Sequence, residues 1–118
     1  MSDDEFCNLL GFTNELEREI CNKIRATTAK ECNIDKDSLT PHDDTQFLNR
    51  KISDGWDCQS FLMTMEEKLD CSLNGVNLPN FTLERFFFLF KRNGPENYGN
   101  WVKEVVKIVI PIISLQRR

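Results

Sequence analysis

The chain has 118 residues, a length that fits one domain, and 40% hydrophobic residues with nine Phe and two Trp suffice for one packed core. Its net charge of −4 divides unevenly: residues 1–80 hold 16 acids and 8 bases, a net of −8, whereas residues 81–118 hold 3 acids and 7 bases, a net of +4. An acidic majority argues against nucleic acid as the main partner and for a basic protein surface, with plain solvation of the surface as the competing use of the same acids. Five scattered cysteines without a C-x-x-C pair, and a single histidine, exclude a clustered zinc site. The odd cysteine count and the lack of an N-terminal signal pattern point to free thiols in a reducing cytoplasm.

Residues 1–12 place Phe6, Leu9, Leu10 and Phe12 behind an acidic start, the pattern of a short helix or arm that docks on the domain. From Thr13 the text T-N-E-L-E-R-E-I-C-N-K-I offers a cap at Thr13 or Asn14, early glutamates, and Leu16, Ile20 and Ile24 four apart. This predicts a helix running to about Ala29 or Cys32, with Cys21 and Cys32 as small core residues. The long segment that follows is polar, pinned by Ile34 and Leu39 and stopped by Pro41, and Phe47, Leu48 and Ile52 suggest a short helical turn before the next element.

The stretch Ser53–Leu73 is the centre of the reading. Ser53 or Asp54 is its candidate cap, Asp57 adds a carboxylate to the first turn, and Leu62, Met65 and Leu69 recur at helical spacing beside Trp56 and Phe61. After a turn-rich bridge, F-T-L-E-R-F-F-F-L-F-K-R reads as a further helix, with Phe86–Phe88 either in the core or forming an exposed patch. The last segment, about 98–115, sets Trp101, Val105, Ile108 and Ile112 on one helical seam, with Pro111 expected to break or kink it. Its apolar run is about half the length a bilayer requires, so no membrane association is expected. Helical spacing and caps recur while strict alternation does not persist. The expected fold is therefore all-α, a small helical bundle forming one domain over 1–118, with Leu16, Ile20, Ile24, Phe61, Met65, Leu69, Phe86, Leu89, Trp101 and Val105 in the core.

A first helix ends near A-K-E-C-N-I-D-K-D-S-L-T-P, a long loop follows, a second helix ends M-E-E-K-L, and a shorter one is entered through F-T-L-E. In this order the middle of the chain resembles an acyl carrier protein. The likeness covers Leu16 to Leu69, and Phe81 to Phe90 more loosely, which implies a carrier-like core of about 13–92 with N- and C-terminal extensions. In that family a serine in an Asp-Ser-Leu triplet opens the second helix and carries phosphopantetheine, and the acidic second helix is the face that partner enzymes recognise. This chain departs at that serine. Counting back from Glu66 and Glu67 puts Gly55 at the attachment position, and aligning on the Trp-Asp-Ser variant puts Cys58 there. Glycine has no hydroxyl to attack a pyrophosphate, so no cofactor is expected; Ser53 and Ser60 come into play only in a shifted register.

No catalytic motif stands out. Cys58 with His42 is the one nucleophile and base an enzyme could use, and both read better as structural or surface residues, so the chain is expected not to be an enzyme. The functional expectation is a non-enzymatic, cytoplasmic acidic binding module, by analogy a bacterial immunity protein that neutralises a toxin by covering a basic nuclease-type surface. The alternative is a divergent acyl or peptidyl carrier. The expected partner-binding residues are Asp43, Asp44, Asp54, Asp57, Glu66 and Glu67, with Trp56 as an aromatic anchor or, equally, a core residue.

Overall fold

The computed structural model describes residues 1–79, 81, 83–86, 89–92 and 97–117, with the backbone alone for 83–86 and 89–92. The fold is an all-α bundle: α1 (Asp3–Leu9), α2 (Glu15–Cys32), α3 (Thr45–Lys51), α4 (Cys58–Leu69) and α5 (Tyr98–Gln116), with a 3-10 turn at Lys36–Ser38 and a short antiparallel hairpin, β1 (Leu83–Phe86) and β2 (Leu89–Arg92).

Each helix starts where a short polar side chain satisfies free backbone N–H groups. Ser2 accepts from Glu5 N, Asn14 from Glu17 N, Asp44 from Gln46 N and Asp57 from Gln59 N. The cap of α4 is thus Asp57, not Ser53 or Asp54, and residues 53–57 form a loop. α2 is the central element, packing against α1, α3, α4 and α5. It buries Ile20, Cys21, Ile24, Thr28 and Cys32, and Leu16 is half-buried at its entrance rather than in the core. α4 contributes Phe61, Leu62, Met65 and Leu69. Each such side chain contributes about 1.5–3 kcal/mol when fully buried.

α5 buries Trp101, Val102, Val105, Val106, Val109 and Ile113, while Ile108 and Ile112 are half-buried, so the buried stripe is rotated from the expected seam. The helix runs through Pro111 unbroken. Proline removes one N–H and crowds the carbonyl four residues back. Here Pro111 and Lys107 are both on the exposed side, so water can satisfy that carbonyl. Two clamps hold the far end: the Gln116 side-chain amide exchanges hydrogen bonds with the Ser72 backbone at 2.8 and 2.7 Å, and Arg117 pairs with Glu19 at 2.8 and 3.2 Å.

The segment expected to be the carrier-like last helix is the hairpin, paired from Leu83↔Arg92 to Phe86↔Leu89. The Phe-rich run favours a pleated surface, and its two halves pair with each other, so no distant strand is needed. The side chains of Phe86 and Leu89, and the question of Phe86–Phe88 as core or patch, lie outside the described residues.

Candidate partner-binding site

The loop between α3 and α4 is held by its backbone. Gly55 N donates to the Ile52 carbonyl at 3.0 Å, Gly55 takes φ +77°, and Trp56 N donates to Asn49 Oδ1 at 2.8 Å. A positive φ is strained for residues with a Cβ, so glycine suits this turn. The loop, the start of α4 and the end of α2 enclose a cleft of about 220 Å³. Glu31, Asp54 and Asp57 supply carboxylates, Ser60 a hydroxyl, and Trp56 and Phe61 an aromatic wall.

Trp56 both faces the cleft and packs against the core. It is half-buried, lines the cleft, and packs behind it against Phe61, Phe81 and Trp101 at centroid distances of 6.2, 5.8 and 5.9 Å, the last edge-on. Such offset aromatic contacts rigidify the wall. Its Nε1 is buried with no hydrogen-bond partner among the described residues, whereas the Trp101 Nε1 donates to the Pro79 carbonyl.

The expected acidic residues separate into two groups. Asp54 and Asp57 meet at the cleft, exposed and with no ion pair among the described residues, although Asp57 also caps α4. The others do not join them in the cleft lining. The Asp43 carboxylate accepts from Thr40 N at 2.8 Å and its carbonyl accepts from Tyr98 N at 2.8 Å, which ties the loop to α5. Asp44 is the exposed cap of α3. Glu66 is half-buried and accepts from Leu73 N at 2.9 Å, fastening the turn after α4; Glu67 is exposed further along that helix. Glu31 was missed by the sequence reading. It belongs to the last turn of α2, and only the packing of α2 on α4 brings it to the cleft.

The positions that the carrier resemblance assigns are Gly55, in the turn, and Cys58, half-buried as the first residue of α4. Ser53 and Ser60 line the cleft. His42 is exposed on another groove, formed with Leu10, Pro41 and Gly99, of which Cys58 is not part. Burial pushes the Cys7, Cys21 and Cys71 thiols above their usual range and Cys32 up to about 11. Thiols so shifted are poor nucleophiles near neutrality.

Among the described residues no group of three or more His, Cys, Asp or Glu side chains gathers as a metal site, and no helix is long and apolar enough to cross a membrane. The fold and cleft define the chain only as a small all-α protein with an acidic, aromatic-walled cleft. No family model, curated protein or solved structure matches it.

Proposed function

We propose that the chain is a non-enzymatic protein-binding module for a basic protein, acting as an immunity protein that neutralises a toxin by covering its cationic surface. The observation that carries this reading is the cleft itself. Three carboxylates with no ion pair among the described residues stand around a fixed tryptophan, so their fields add towards a cation while the indole supplies contact area. Unpaired carboxylates of this kind raise the association rate with a basic surface and disfavour acidic competitors.

The test is co-expression with the product of the neighbouring gene. Growth inhibition by that product should be relieved by the wild-type chain, and relief should be lost in Glu31→Lys/Asp54→Lys/Asp57→Lys with helical content unchanged. A neighbouring product without toxicity, or protection that survives the charge reversal, would sink the reading. The alternative, a divergent acyl or peptidyl carrier, draws on the helix order and on Ser53 and Ser60 at the cleft. Exposure to a promiscuous phosphopantetheinyl transferase followed by intact-mass measurement separates the two: the binding-module reading expects no added mass.

A further inference from the structure

The packed edge of α2 and α4 carries a charge pattern opposite in sign to the cleft. The two helices run antiparallel: Glu31 near the end of α2 meets Ser60 and Phe61 at the start of α4, and Arg117 joins Glu19 near the start of α2 to the Leu69 carbonyl at the end of α4. They touch at mid-length, where Thr27 Oγ1 is 3.6 Å from Met65 Sδ. One turn in either direction along α2 from Thr27 come Lys23 and Lys30, and one turn beyond Met65 comes Lys68. Side chains lean towards the N-terminus of their own helix, so Lys68 leans back along α4, in the direction of Lys30.

Lys23 and Lys68 are half-buried and Lys30 is exposed. None of the three forms an ion pair among the described residues. Glu19, one turn before Lys23, is already taken up by both guanidinium nitrogens of Arg117. The Lys68 ammonium is held below its usual range by its own burial first, then by the charges of Lys30 and Lys23, against which Glu67 is a weaker opposing influence. Three cations thus share one edge with no ion pair among the described residues, opposed only by the charges of Glu67 and of Glu19, which Arg117 already engages, and a bound anion would relieve their repulsion. Lysine's flexible four-carbon arm allows the three ammonium groups to converge on one tetrahedral ligand.

We propose that this edge is an oxyanion site whose ligand is a phosphate dianion, free or as a monoester, held by Lys23, Lys30 and Lys68. The site is separate from the acidic cleft and does not depend on the partner proposed there. The test is titration of isotope-labelled protein with inorganic phosphate, and in a second arm with glycerol phosphate, at ionic strength held constant by sodium chloride. Amide shifts should saturate and be confined to the neighbourhoods of residues 23, 30 and 68. Lys68→Gln should weaken binding about tenfold, and Lys23→Gln/Lys30→Gln/Lys68→Gln should abolish saturation, with the circular dichroism spectrum unchanged. Tighter binding of the monoester assigns the site to a phosphorylated molecule, and equal binding assigns it to free phosphate. Shifts that grow linearly without saturating, or saturable binding that survives the triple variant, would overturn the proposal.

Discussion

Gly99→Ala separates packing from helix propensity because the two act with opposite sign. Gly99 is the second residue of α5, and its N–H donates to the Pro41 carbonyl at 2.9 Å. A Cβ there would stand 2.8 Å from Pro41 Cβ and 3.0 Å from both the Pro41 oxygen and Leu10 Cδ2. Leu10 can rotate away at about 0.5–1.5 kcal/mol, but the Pro41 ring and carbonyl are held by the chain. Forcing a methyl group into such a site costs about 1–3 kcal/mol, and displacing Pro41 weakens a hydrogen bond with a net value of about 1 kcal/mol. Against this stands the helix preference for alanine over glycine, about 1 kcal/mol in a helix interior and less in a first turn. The net expectation is a loss of about 1–2 kcal/mol. Urea denaturation should show a midpoint lowered by about 1 M, for a slope of about 1–2 kcal/mol/M that itself does not change. A midpoint that stays or rises would mean that α5 and the Pro41 turn are not in close contact, and the reasoning would fail.

Arg25→Ala should be among the most damaging single changes. Arg25 is fully buried, pairs with Asp3 at 2.8 Å, donates to the Met1 and Leu39 carbonyls, and lies over the Phe6 ring; its removal should cost about 3–5 kcal/mol by chemical denaturation. Glu19 is held below its usual pKa chiefly by the Arg117 hydrogen bond, so its contribution is present above the unfolded value and lost as pH falls through the folded one. Glu19→Gln should therefore flatten the acid limb of the stability curve below about pH 4.5, and an unchanged limb would count against the clamp. With iodoacetamide near pH 8, half-buried Cys58 should react first in the folded protein and half-buried Cys71, its thiol held above the usual range by burial, more slowly, while buried Cys7, Cys21 and Cys32 react only on unfolding, as intact mass would show.

The helices of this chain are written in short-range terms. Asn14 and Asp44 cap the helices that follow them because a side-chain oxygen meets an N–H two or three residues on, and the four-residue spacing of Ile20 and Ile24 sets the face that packs. Such signals act within one helical turn, so the sequence alone determined α2, α4 and α5 as helices and the inward face of α4, while residues 1–12 read as a helix or an arm and Phe47–Ile52 only as a helical turn. It also marked Asp54, Trp56 and Asp57 as neighbours of the α4 entrance. The Phe81–Arg92 run was misread because its apolar residues satisfy helix and hairpin alike, and pairing across the hairpin leaves no trace in a helical window. The duties of individual carboxylates were not legible either. Asp43, Glu66 and Asp57 look the same in the sequence as Asp54, but their carboxylates accept from the Thr40, Leu73 and Gln59 backbone N–H groups at 2.8, 2.9 and 2.9 Å, and of these three only Asp57 also lines the cleft. Glu31 joins the cleft, and Arg25 enters the core, only because α2 packs against α4 and α1. Whether a charge is used internally or left for a partner depends on which groups long-range packing brings to it, and that was decided by the tertiary structure.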